Sequence, residues 1–98
     1  MTHLDDYVTD VLMRDLVGHD KRPVSFLVYV WLAAEEQRRG EPVQISYQDM
    51  AESIGVSRSA AQSAVGWLVG RKLLHASRTT VTATPVYKVL TPWRSTKN

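Results

Sequence analysis

Arg58, Ser59, Gln62, Ser63 and Gly66 fall on one side of a helical repeat, with Ser57 immediately before them. Side chains of these types at this spacing suit the reading of a nucleic acid rather than the breaking of bonds. A glutamine amide meets adenine with two hydrogen bonds, a guanidinium meets guanine the same way, and a serine hydroxyl serves base edges or phosphates. No acid stands between Arg58 and Lys72, so nothing along this stretch repels a polyanion. The free amides at the start of the helix are a further place for a phosphate. The pattern predicts a recognition helix over about residues 57–72, inserted into the DNA major groove by its N-terminal half.

Other chemistry finds less support. Gly55-Val-Ser-Arg-Ser59 approaches a nucleophile elbow, but it lacks the closing glycine and the preceding strand. Gly66-Trp-Leu-Val-Gly-Arg-Lys72 is one residue short of a phosphate loop, has Leu73 where Ser or Thr is needed, and lies inside a helical pattern. His3, His19 and His75 show no metal-ligand spacing, and cysteine is absent, so neither a disulfide framework nor a cysteine-held zinc is expected. Asp5-Asp6 and Glu35-Glu36 are adjacent pairs, and neighbours in a helix do not face one another. Trp31, Trp67 and Trp93 read as anchors of a core or an interface. No catalytic residue, metal or cofactor is expected.

The elements that must position the reading face are legible in outline. Leu4, Val8, Val11, Leu12 and Leu16 recur at helical spacing and predict a first helix over Leu4 to Val17, with Asp5, Asp6 and Asp10 at its electropositive start and Gly18 as its stop. Residues 18–22 read as a loop. A second helix runs from Pro23, a residue favoured in the first turn, to Gly40, and its nearly all-round apolar start places it at the centre of the core. Val43-Gln44-Ile45 is a short extended piece. Ser46 with Asp49 three residues on forms a capping box for a third helix, Tyr47 to Ile54, which stops at Gly55.

Ser57 caps the next helix, whose inward stripe is Ala61, Ala64, Val65 and Leu68. Ala51 is the small residue that two closely crossing helices require, and Ala61 leaves space that a tighter crossing or Trp67 would fill. Gly66 and Gly70 each cost about 1 kcal/mol relative to alanine in a helix interior. Close packing is the reading for Gly70; for Gly66, packing and approach of a DNA backbone both stand. His75 to Thr84 and Val86 to Leu90 predict two strands of a hairpin, and Arg94 to Asn98 a frayed tail.

With 98 residues the chain supports one modest core. Its net charge of +2 is unevenly spread: residues 1–50 carry five basic and nine acidic groups, residues 51–98 seven and one. A basic C-terminal half is the footprint expected of a nucleic-acid-binding face. The longest apolar stretch, Val24 to Ala34 broken by Ser25, is too short to cross a bilayer, and the acidic N-terminus has no signal-peptide character. A cytoplasmic location follows as an expectation.

Residues 24–90 resemble a winged helix-turn-helix domain of the bacterial regulator type: helix, short strand, helix, turn, recognition helix, two-stranded wing. The resemblance rests on Met50-Ala-Glu-Ser-Ile-Gly-Val-Ser-Arg-Ser59 and on Leu68 with Arg71-Lys72-Leu73-Leu74. MarR-like and GntR-like regulators and the N-terminal domains of plasmid replication initiators share this pattern. The resemblance implies an α+β, mainly helical fold, in which residues 1–20 add an N-terminal helix to a winged domain over 21–98. It implies that the wing, about 75–90, meets phosphates or the minor groove through Arg78, Thr79 and Thr80, while Lys88 reads better as solvated.

Tyr47 and Gln48 either reach the DNA backbone or serve packing. The implied function is sequence-specific double-stranded DNA binding in transcription regulation, as a homodimer. A plasmid replication accessory and a protein-interaction module are the alternatives. The N-terminal helix either dimerises or covers its own core.

Overall fold

The computed structural model describes residues 2–94. Three α-helices, α1 (Pro23–Arg39), α2 (Tyr47–Ile54) and α3 (Arg58–Gly70), follow an N-terminal helix wound as two π-helical segments, Val8–Leu12 and Arg14–His19. The strands are β1 (Val43–Gln44), β2 (Leu74–Ser77) and β3 (Val86–Val89), and a 3-10 turn covers Pro92–Arg94. The fold is therefore α+β and mainly helical.

Local signals set most of these boundaries. Pro23 opens α1, and Gly40 closes it in the left-handed region at φ 71°, its N–H bonded to the Glu36 carbonyl. The Ser46 side chain accepts the Asp49 N–H at 3.1 Å and so caps α2. Gly55 ends that helix at φ 91°, a conformation disfavoured for any residue with a Cβ. Both Gly55 and Val56 donate to the Ala51 carbonyl, which tightens the turn, and the Ser57 side chain then caps α3 by accepting the Ala60 N–H.

The core is one cluster. Val28, Tyr29 and Leu32 of α1, Met50 and Ala51 of α2, and Ala61, Ala64, Val65 and Leu68 of α3 are all buried in it, with Val43, Leu74 and Tyr87 from the sheet. The inward stripe of α3 is the one its spacing predicts. Val8, Leu12 and Leu16 of the N-terminal helix are buried in the same cluster, so that face covers the core of its own chain.

The sheet is antiparallel in the order β1-β3-β2, with β3 central. Leu74 pairs with Val89 and Ser77 with Val86 on one side; Val43 pairs with Tyr87 on the other. Because β1 is only two residues long, it leaves Val89 uncovered, and the Val89 N–H donates instead to the Glu36 carboxylate at 2.9 Å. The Tyr29 hydroxyl, also from α1, donates to the Leu90 carbonyl at 2.8 Å. Helix side chains thus complete the hydrogen bonding of the central strand's end.

Four expectations need correction. Gly18 does not stop the first helix, which winds on through it to His19 with wide i→i+5 bonding; Met13 donates to the Val8 carbonyl and Asp20 to that of Asp15. The hairpin strands are shorter than predicted, because Arg78 folds back to donate to the Val81 carbonyl at 3.0 Å and residues 78–85 form the connection. A Cβ added at Gly66 or Gly70 would meet open space, so close packing explains neither glycine. Arg94 is not frayed: it donates twice to Asp5, at 2.6 and 2.8 Å. Residues 95–98, the rest of the predicted tail, lie outside the described residues.

Candidate nucleic-acid interface

The outer face of α3 carries Ser57, Arg58, Ser59, Gln62, Ser63 and Gly66, all exposed. The stripe of Ala61, Ala64, Val65 and Leu68 faces inward, so the helical repeat alone turns these six outward together. Ser57 is engaged locally: its oxygen accepts the Ala60 N–H and lies 3.3 Å from that of Ser59. Ser63 accepts from Arg22 at 3.1 Å. Arg58 forms no ion pair among the described residues.

The other predicted contacts are distributed around this face. Tyr47 is half-buried, with its ring tilted on that of Tyr87 at 6.5 Å, and packs against the core. Gln48 is exposed and donates to Glu52 one turn on, at 2.7 Å. Arg78, Thr79 and Thr80 lie in the exposed connection between β2 and β3. Thr80 sits 3.4 Å from Thr82, oxygen to oxygen, and Val81 between them is 87% exposed. Lys88 is exposed on β3.

The sequence reading missed what joins the outer face of α3 from elsewhere. Arg22, just before α1, has its guanidinium carbon 4.4 Å from the centroid of the Trp67 ring while it donates to Ser63. Lys21 beside it is exposed and adopts φ 57°, unusual for a residue with a side chain. Together they line a shallow cavity of about 190 Å3 with Pro23, Ala60 and Ser63. The partners are 41 residues apart in the chain, and only a basic pair in a short loop hinted at them.

Charge is rearranged by the fold in both directions. Asp20, its side chain 5% exposed, accepts the Trp67 indole N–H at 3.0 Å and the Arg71 guanidinium at 2.6 Å. The His19 ring, 3.0 Å away, with the indole and Arg71 holds this carboxyl below its usual range, against the opposing effect of burial. Asp5 repeats the construction with Arg94 and Trp93, whose hydrogen bonds lower its pKa to about 2. Two of the C-terminal half's basic groups are thus neutralised by acids of the first 20 residues, while Lys21 and Arg22 move cationic charge towards α3.

Among the described residues, no group of three or more His, Asp or Glu side chains is placed to hold a metal ion. No helix among them is long and apolar enough to cross a membrane. Comparison with protein-family models, with curated proteins and with solved structures finds no match for this chain.

Proposed function

We propose that this chain is a winged helix-turn-helix protein that binds double-stranded DNA and regulates transcription. In this reading α2 and α3 are the helix-turn-helix, α3 enters the major groove, and the β2–β3 hairpin is the wing. The observation that carries it is the outer face of α3, exposed and free of acids from Arg58 to Lys72, with amide, hydroxyl and guanidinium groups side by side. Those groups match the hydrogen-bonding edges of bases in the major groove. Arg58, which forms no ion pair among the described residues, and the start of α1, which has no side-chain cap among them, add positive potential on that side beside Lys21 and Arg22. The hairpin presents Arg78, Thr79 and Thr80 at an exposed tip, where a wing meets the backbone or minor groove.

A single helix reads only a few base pairs, so the proposal includes a homodimer on a two-fold site. The N-terminal helix keeps Val11, Met13 and Val17 exposed, and these are the apolar side chains a second copy would cover. Light scattering behind size exclusion measures the state directly, and a monomer at high micromolar concentration removes the dimer.

Fluorescence anisotropy with a random-sequence duplex over a salt series tests DNA binding. The expected result is binding whose affinity falls with salt at a log–log slope of several units, from counterions released as phosphates are neutralised. No binding at low salt by folded protein overturns the reading and leaves the same face to a protein partner.

A further inference from the structure

We infer that Arg22 is a ligand for a DNA backbone phosphate, held ready at the edge of the α3 face by Trp67 and Ser63. The inference rests on the DNA-binding reading above and assigns a contact from outside the helix-turn-helix. Arginine loses side-chain freedom on binding, and a residue already ordered loses less. Here the order is built in. The guanidinium lies on the Trp67 ring at 4.4 Å and donates one N–H to Ser63 at 3.1 Å. Trp67 is itself held at its ring edge, where the indole N–H donates to Asp20 at 3.0 Å.

The nearest acid is already engaged. Asp20 is two residues away but takes Arg71, not Arg22, and Arg22 forms no ion pair among the described residues. A guanidinium has five donors; one is used on Ser63, and no other hydrogen bond from the Arg22 side chain is found among the described residues. Arg22 borders the shallow cavity shared with Lys21 and Ser63. An anion with several oxygens takes paired hydrogen bonds from such a fork. The position beside α3, rather than on it, suits the phosphate that flanks the groove and not a base edge within it. Exposed Lys21 adds charge at the same place.

The test compares the parent with Arg22→Ala, Arg22→Lys and, as a charge-matched control at the far end of α1, Arg39→Ala. Each is titrated with the random-sequence duplex across the salt series, after circular dichroism confirms folding. Arg22→Ala is expected to lower the salt slope by about 0.9, the share of one phosphate, with Arg39→Ala unchanged. Arg22→Lys keeps the charge but not the stacked fork, so the slope stays and affinity falls several-fold. An Arg22→Ala slope equal to the parent's overturns the inference and leaves Arg22 as a brace for Trp67. Should Arg22→Ala fail to fold, Arg22→Lys decides, because affinity equal to the parent's overturns the fork. A parent that shows no salt-dependent binding removes the inference together with the DNA reading, and that outcome is visible in the parent alone.

Discussion

Asp20 and Trp67 stand 47 residues apart in the chain and meet at 3.0 Å, the indole N–H donating to the carboxylate. The same oxygen takes Arg71. Asp5 does the same with Trp93 and Arg94 across 88 and 89 residues. Each end of the N-terminal helix is thus tied to a tryptophan and an arginine of the C-terminal half. The indole supplies apolar area as well as a donor, so each tie combines burial with a charge-assisted hydrogen bond.

These ties make stability depend on acid pH. Asp5 and Asp20 both have lowered pKa values in the folded chain, against about 3.9 when unfolded. Their contribution is complete above the unfolded value and is lost as pH falls through the folded one, about 2 for Asp5. Urea midpoints measured from pH 6 to pH 2 are expected to drop below about pH 4. Asp5→Asn and Asp20→Asn are expected to have lower midpoints at pH 6 and a shallower drop. A parallel drop in parent and variants would assign the acid sensitivity elsewhere.

Leu16 is fully buried in the chain's own core. Leu16→Ala is expected to cost about 2–5 kcal/mol, read by urea denaturation, and the loss is expected to be the same at low and high protein concentration. A loss that grows on dilution would place Leu16 between two copies instead.

Two buried tyrosines make a matched pair. The Tyr29 hydroxyl donates to the Leu90 carbonyl, whereas that of Tyr87 has no hydrogen-bond partner among the described residues. Burial pushes both phenols up from their ordinary pKa. Tyr29→Phe is expected to destabilise by about 1 kcal/mol, and Tyr87→Phe to be neutral or stabilising. Thermal melts give the signs, and a loss in Tyr87→Phe as large as in Tyr29→Phe contradicts the contrast.

Gly66 separates stability from binding. A Cβ there meets nothing within 4 Å, so Gly66→Ala is expected to stabilise α3 by about 1 kcal/mol and to raise Tm by about 4–8 °C. The same methyl group is expected to weaken duplex binding by crowding the DNA. A raised Tm with unchanged affinity would place the DNA away from Gly66.

Arg58 and Gln62 are the proposed base readers. With a selected operator duplex in hand, Arg58→Ala and Gln62→Ala are each expected to lose about 1–3 kcal/mol of discrimination between matched and mismatched sites. Arg78→Ala is expected to weaken all duplexes evenly. Unchanged binding by all three variants would mean that another face is used.

What was legible in the sequence is local in origin. Pro23 and Gly40 bound α1, and Ser46, Gly55 and Ser57 bound α2 and the start of α3, because caps and left-handed turns act within a few residues. The outer face of α3 followed from a period. The passage of the first helix through Gly18 was not legible, because a wide i→i+5 winding leaves no mark in a pattern of Leu and Val. The Arg22–Ser63 and Asp20–Trp67 contacts were hidden for another reason. They depend on where the N-terminal helix docks, and no spacing in the chain encodes that.

The central position of β3 sets an order of events during synthesis. β1, emerging near the middle of the chain, has no hydrogen-bonded partner until Val86–Val89 follow, and Asp5 waits for Arg94. Contacts across such sequence separations form late because loop closure must come first. α1 and β1 therefore leave the ribosome before the strand that packs against both. A nascent chain halted before residue 86 carries an unsealed sheet edge and core, the state most open to aggregation and to chaperones.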